Sequence, residues 1–181
     1  MTEKRILHLL EYSLKNLIEN DNELIDRNLK EESINHKLAM YLEKYITESK
    51  INILESFPKL SVDIEYNKNN EKCKYAINSN KRMIPDILIH ERKTNDNNLV
   101  AIECKKIHLN KEDKEKLKNY KKEPYFYEHS IAIEYKPKNK KLKKPKIYDM
   151  KIYFFSKTGI KKTFSFNKKS YKIKEYIRSE K

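Results

Sequence analysis

Two short apolar runs near the middle of the chain constrain its fold more than any other feature. Residues 84–90 read IPDILIH and, after a polar gap, residues 99–106 read LVAIECKK. Their length and β-branched content, with the turn-forming segment 93–98 between them, predict two strands joined as a hairpin. Each run also carries charge within apolar sequence, and buried charges are costly unless they are paired or bind a metal. The hairpin therefore predicts both part of a sheet and the position of a site.

The charged residues of this hairpin are expected to converge. Side chains two apart on a strand share a face, so Glu103 and Lys105 are neighbours. Closing the hairpin places Asp86 opposite one of them to within a residue or two, at about 5 Å. Two carboxylates so close favour a bound cation, and their oxygens suit Mg²⁺ or Mn²⁺. The alternative is an ion-paired hairpin at a sheet edge, with Lys105 between Asp86 and Glu103, but runs this apolar favour a metal site.

Helices and strands are expected on both sides of the hairpin. Apolar residues at helical spacing, or charged runs begun by a capping pattern, predict helices over residues 5–19, 29–47, 111–122 and 170–178. Alternating or β-branched runs predict further strands over residues 61–66, 130–135, 147–155 and 163–166. Residues 67–81 are expected to form a polar loop. With 181 residues the chain suits one domain, so we predict a single α/β domain with a mixed central sheet flanked by helices.

The composition narrows the function. Lysine and arginine number 41 against 27 acidic residues, a formal charge of +14, which favours a polyanionic partner such as nucleic acid, although some of this excess could reflect an AT-rich coding background. A single glycine leaves no glycine-rich phosphate loop. Cys73 and Cys104 lack metal-ligand spacing and suit a reducing compartment, and no apolar run is long enough to span a membrane. A cytoplasmic protein that does not bind membranes is expected.

The densest positive segment spans residues 136–146, between Tyr135 and Tyr148. It could follow a phosphate backbone without reading base sequence, or it could be a solvated basic loop. Its candidate nucleic-acid-binding residues are Lys138, Lys140, Lys141, Lys143 and Lys144.

The hairpin motif resembles that of a known family. Pro85-Asp86 followed by Glu103-Cys104-Lys105 resembles the PD-(D/E)XK nuclease superfamily, with Cys104 in the variable position. Residues 32–39 (ESINHKLA) and 62–67 (VDIEYN) are similar to blocks upstream of the motif in a group of small, largely uncharacterised bacterial members. The matching blocks span about half of the chain. The resemblance implies a restriction-endonuclease-like αβββαβ core over residues 29–135, preceded by a helix over residues 1–20 and followed over residues 136–181 by the basic loop and C-terminal elements.

The resemblance also implies a reaction and a role for each motif residue. Asp86 and Glu103, with the Cys104 backbone carbonyl, would hold one or two Mg²⁺ (or Mn²⁺) ions against a scissile phosphate. Lys105 would orient the attacking water and stabilise charge on the phosphate. The implied activity is that of a metal-dependent nuclease, with DNA as the first substrate and an endonuclease as the first candidate; a homodimer would serve cleavage of both strands.

Four further residues are candidates for the site, and each also has a purely structural explanation. The acidic residue on the family's N-terminal helix would correspond to Glu32, although helix geometry puts Glu32 on a stripe with His36 that is equally consistent with solvent exposure. His36 lies one turn on and is within reach of the same site, or is simply exposed. Glu65 would add a carboxylate or lie on the solvent face of a strand. Lys116 stands where some members have the Gln of a Gln-x-x-x-Tyr pattern; it could contact phosphate or belong to an exposed basic helix.

Two other functions remain compatible with this sequence. A non-catalytic nucleic-acid-binding module that retains the nuclease fold would bind without metal and without cleavage. A basic interaction protein with an ion-paired hairpin would show no effect of divalent metal on its thermal stability.

Overall fold

Two helices begin the chain, as their apolar periodicity predicts. In the computed structural model, which describes residues 1–48, 53, 57–69, 72–77, 79–137 and 149–176, α1 spans Glu3–Asp26 and α2 spans Glu31–Glu48. α1 extends beyond its predicted end because the helix continues through a kink at Asp21, where φ is −131°. The Tyr41 hydroxyl of α2 donates a hydrogen bond of 2.5 Å to the Asp21 carboxylate at this kink. The two helices are therefore joined by a polar contact as well as by their apolar faces.

In the part of the chain that the structure describes, seven strands form one mixed sheet, and β2 (Lys68–Asn69) and β3 (Lys72–Cys73) form a separate antiparallel pair. In their order across the sheet, the seven strands are β1 Leu60–Ile64, β4 Ile87–Glu91, β5 Asn98–Lys105, β6 His129–Glu134, β7 Met150–Phe155, β8 Ile160–Asn167 and β9 Lys172–Glu175. The pair β5 and β6 is parallel, and α3 (Lys111–Tyr120) lies between these two strands in the chain. All other neighbours are antiparallel. The expected α/β class and the hairpin of β4 and β5 are confirmed.

The sheet has helices on both faces because its central strands are apolar on both sides. Val100, Ile102 and Cys104 of β5 face the main core, which α1 and α2 cover. Ala101 faces the opposite side, where it packs with Leu88 and with Tyr120 from the end of α3. The β4–β5 hairpin thus lies inside the molecule rather than at an exposed edge.

Two segments outside this core differ from their predicted structure. The final helix predicted over residues 170–178 is wrong over the described part: residues 168–171 form a turn and β9 follows. Ile173 packs on the core between the exposed Lys172 and Lys174, so this stretch alternates as a strand and pairs with β8. The predicted polar loop over residues 67–81 contains a two-stranded hairpin of β2 (Lys68–Asn69) and β3 (Lys72–Cys73).

The basic segment falls outside the described residues from position 138 to position 148, which includes all five of its candidate lysines. No helix in the part of the chain that the structure describes is long and apolar enough to cross a membrane.

Candidate metal and phosphate site

The hairpin register brings the two motif carboxylates together. Ile87 of β4 pairs with Ile102 of β5, which puts Asp86 next to Glu103, within the range that the sequence predicts. The backbone N–H of Cys104 donates to Asp86 Oδ2 at 2.6 Å. Burial raises the pKa of Asp86, although this hydrogen bond and the ammonium groups of Lys105 and Lys116 oppose the rise. The backbone of β5 therefore fixes one oxygen of the Asp86 carboxylate.

Glu103 is fully buried and has a partner for each carboxylate oxygen. Lys116 Nζ lies 2.6 Å from Oε2, and the Tyr120 hydroxyl donates to Oε1 at 2.8 Å. Burial, together with the negative charge of Asp86, raises the pKa of Glu103 to about 8. The ion pair with Lys116 thus only partly offsets the cost of keeping this carboxylate charged in the interior.

Lys105 is held by carboxylates from two helices. Its Nζ lies 3.2 Å from Glu31 Oε1 on α2 and 3.7 Å from Asp113 Oδ1 on α3. Partial burial alone would lower the pKa of Lys105, but Asp86, Glu31 and Asp113 outweigh it and raise the pKa above its ordinary value. Lys105 is therefore a cation at every physiological pH, with its ammonium oriented from both sides.

The helical carboxylate that contacts Lys105 is Glu31 rather than the predicted Glu32. Glu31 Oε2 also accepts the Lys106 backbone N–H at 2.9 Å, whereas Glu32 and His36 are exposed. The physical reason is the helix phase: Glu31 lies one turn before Asn35, which is buried and accepts a 2.9 Å hydrogen bond from the Tyr135 hydroxyl. The four-residue spacing of Glu31 and Asn35, continued by Leu38 and Leu42 on the buried side, is the sequence signal that would have identified it.

α3 supplies three side chains to the site, of which Lys116 was among the candidates. Asp113 forms the capping box that its spacing from Asn110 predicts, with hydrogen bonds of 2.9 and 3.0 Å in the two directions. Its second carboxylate oxygen faces Lys105, a contact that sequence reasoning missed because the cap already explained the residue. Tyr120 is the tyrosine of the Gln-x-x-x-Tyr spacing in which Lys116 stands at the Gln position, and the sequence also predicts it as an apolar contact of the helix.

Glu65 contributes backbone rather than a carboxylate. Its side chain is exposed, its φ is +51°, and its N–H donates to the Asp86 carbonyl at 3.3 Å. Glu65 thus ends the pairing of β1 with β4 beside Asp86.

The site has more carboxylates than ammonium groups, and an excess of negative charge favours a divalent cation. Four carboxylates surround two ammonium groups: Glu31, Asp86, Glu103 and Asp113 against Lys105 and Lys116. When all are ionised, two negative charges remain in excess. The predicted ligands, two carboxylates and the Cys104 carbonyl, are hard oxygen donors of the kind Mg²⁺ and Mn²⁺ prefer.

The predicted site offers a metal ion few protein ligands. Among the described residues no group of three or more His, Cys, Asp or Glu side chains is arranged to hold a metal ion. A metal at the Asp86–Glu103 pair would have to take most of its ligands from water or from phosphate oxygens, as Mg²⁺ commonly does.

A separate charged cluster lies at the far end of β4. His90 Nε2 lies 3.0 Å from Asp63 Oδ2, and Arg92 Nε donates to the same oxygen at 2.8 Å. Burial alone would raise the pKa of Asp63, but these hydrogen bonds outweigh it and hold the pKa well below its ordinary value. The cluster joins the edge strand β1 to β4.

Comparison with known proteins returned no match to a family model, to a curated protein or to a solved structure. The relationship to PD-(D/E)XK nucleases stays a prediction that rests on the motif.

Proposed function

We propose that this protein is a metal-dependent nuclease that hydrolyses phosphodiester bonds, with DNA as its first substrate. The observation that carries the proposal is the meeting of Asp86, Glu103 and Lys105 at one end of a buried hairpin. Two carboxylates alone would repel phosphate, whereas two carboxylates beside an oriented ammonium suit a phosphate approached together with a metal ion.

The residues around the site have distinct roles in this proposal. Asp86, held by the Cys104 N–H, and Glu103, held by Tyr120, would bind Mg²⁺ or Mn²⁺ together with the Cys104 carbonyl. The metal, when bound, would polarise a phosphoryl oxygen and lower the pKa of a water. Lys105 would face the phosphate oxygens and the attacking water, and Glu31 and Asp113 would keep its ammonium in place.

The order of elements supports the same proposal. Among the described elements, the order α2, β1, β4, β5, α3 and β6, with β2 and β3 after β1, is consistent with the αβββαβ core that the motif resemblance implies. Strand β6 is parallel to β5, so Lys105 and Tyr135 lie at the same end of the sheet. Ligands of α/β sheets commonly bind at the carboxyl ends of parallel strands.

The experiment is a cleavage assay with purified protein. Supercoiled plasmid, linear duplex and single-stranded DNA are incubated with Mg²⁺, Mn²⁺ or EDTA, using the wild type, Asp86→Asn and Lys105→Ala. We expect cleavage only with metal, reduced at least about a hundredfold in either variant, because each removes a charge that acts on the transferred phosphoryl group.

Lys118→Ala is the matched control, since it removes an ammonium that pairs with Glu115 on α3 rather than one at the site. Full cleavage by Lys105→Ala would disprove the mechanism.

A non-catalytic nucleic-acid-binding module is the second candidate, and one observation favours it. Lys116 and Tyr120 already satisfy both oxygens of Glu103, as in an ion-paired core without metal. Binding of each DNA form in EDTA, with no cleavage in Mg²⁺ or Mn²⁺, would establish this alternative.

A further inference from the structure

Lys116 differs from Lys105 in how it is held. Its ammonium pairs with Glu103, and its second hydrogen bond, of 3.2 Å, goes to the neutral backbone carbonyl of Ile84. Lys105, by contrast, is contacted by two carboxylates on two helices. In the described structure one direct ion pair, with Glu103, holds Lys116 at the site, and Asp86 acts on it at longer range.

Lys116 is partly exposed, so its ammonium can move from Glu103 to solvent. The Lys116 side chain is 27% exposed, whereas that of Glu103 is 0% exposed. The side chain therefore reaches from the surface of α3 to a carboxylate that solvent does not contact. Ile84, whose carbonyl is the other partner, is itself exposed. Rotation of the Lys116 side chain about its own bonds would carry its ammonium to solvent and leave Glu103 with the Tyr120 hydroxyl as its hydrogen-bond donor.

An ammonium and a divalent metal compete for the same carboxylate oxygen. Mg²⁺ binds carboxylate oxygens at about 2.0–2.1 Å. Lys116 Nζ lies 2.6 Å from Glu103 Oε2, so both cations at that oxygen would repel each other strongly in a buried setting. Metal binding at Glu103 therefore requires Lys116 to find another anion.

We propose that Lys116 is an exchangeable counter-ion that couples metal binding to nucleic-acid binding. In the free protein its ammonium neutralises Glu103. When a nucleic acid arrives, a backbone phosphate takes the ammonium, and Glu103 becomes available to the divalent cation. This inference rests on the proposed function, since it requires a metal at Asp86 and Glu103 and a phosphate beside them.

The coupling must be reciprocal, because two ligands linked through one protein change each other's affinity by the same factor. Nucleic acid should strengthen metal binding, and metal should strengthen nucleic-acid binding. Removal of the Lys116 ammonium should strengthen metal binding to the free protein and reduce the coupling, since Glu103 would no longer be neutralised internally.

The test measures Ca²⁺ and Mn²⁺ binding by calorimetry, with and without a short DNA duplex that carries phosphorothioate linkages to prevent cleavage. For the wild type we expect metal affinity to rise in the presence of duplex by about 5- to 150-fold, the usual range of such coupling. Lys116→Gln should bind metal about tenfold more tightly than the wild type without duplex, and the duplex should then add little.

Lys118→Gln makes the same charge change on the same helix and should behave as the wild type. Lys116→Met serves as a second variant if Lys116→Gln does not fold.

The outcomes separate this inference from the proposed function. If wild type and Lys116→Gln both bind metal with equal affinity, or if the variant binds it more weakly, the exchange is disproved while the nuclease proposal stands. If neither binds metal and neither cleaves DNA, the metal site itself is disproved, and the exchange with it.

Discussion

At the scale of single residues, the site depends on which of two adjacent glutamates faces the sheet. Glu31 accepts hydrogen bonds from the Lys105 ammonium and the Lys106 backbone, whereas Glu32 is exposed. A one-residue shift rotates a side chain by about 100° around a helix, so identical chemistry gives a different contact. In the proposed nuclease, Glu31 positions Lys105 and does not itself react.

The pair provides a matched test. Glu31→Gln removes one charge that orients Lys105, and we expect cleavage to slow by about 10- to 100-fold, as is usual when a supporting partner is lost. Glu32→Gln should cleave as the wild type does. Both rates are measured on plasmid in Mg²⁺, with melting temperatures to exclude unfolding. Equal loss in the two variants, or loss only in Glu32→Gln, would contradict the assignment.

At the scale of elements, α3 links a helix-capping motif to the candidate site. Its capping box orders the first turn, Asp113 of that turn faces Lys105, and Lys116 and Tyr120 follow on the next turns. A short helix of this kind draws much of its stability from its cap and its packing. The same few hydrogen bonds therefore begin the helix and align part of the site.

Loss of the cap should affect stability and activity together. Asn110→Ala removes the acceptor of the Asp113 N–H, and we expect the free energy of unfolding to fall by about 1 kcal/mol. Cleavage should also slow, because Asp113 loses its fixed orientation towards Lys105. Urea denaturation and plasmid cleavage measure the two effects. Lys114→Ala, on an exposed position of the same helix, is the control and should change stability by less than about 0.5 kcal/mol.

The sequence predicted those features that depend on residues close together in the chain. The β4–β5 hairpin follows from two apolar runs and one short turn, so its carboxylates could be paired without knowing the rest of the fold. Strand β9 and residue Glu31 could not be assigned in this way. β9 is defined by pairing with β8, and the orientation of Glu31 by how α2 packs on the sheet. The spacing of Asn35, Leu38 and Leu42 gives the buried side of α2, but it does not report which strand residue Glu31 meets, and the pairing of β9 likewise depends on contacts distant in the chain.

At the scale of the whole molecule, charged side chains attach the edge strand β1 to the rest of the sheet. Asp63 links β1 to His90 and Arg92, and its pKa lies below the ordinary value of 3.8. A carboxylate with a lowered pKa contributes stability above the pKa of the unfolded chain, and this contribution is lost as the pH falls through the folded pKa. The attachment of the edge strand should therefore weaken in acid.

Acid denaturation tests this assignment. We expect the wild type to lose stability as the pH falls below about 4, and Asp63→Asn to be less stable at neutral pH with a smaller decrease over the same range. The free energy of unfolding is measured in urea between neutral pH and strongly acidic pH. Asp96→Asn, an exposed turn residue, should follow the wild type. A wild type and an Asp63→Asn variant with parallel acid profiles would show that the cluster does not contribute.

The other side of the sheet ends differently, at β9. Glu11 of α1 accepts the Ile173 backbone N–H at 2.9 Å, and its other carboxylate oxygen lies 2.9 Å from Lys172 Nζ. A strand from a second molecule that approached this edge would find that donor already occupied, beside lysines that repel another basic chain. In the proposed function, a protein of formal charge +14 would be concentrated along a long polyanion, and the Glu11 contact would limit strand pairing between the β9 edges of neighbouring copies there.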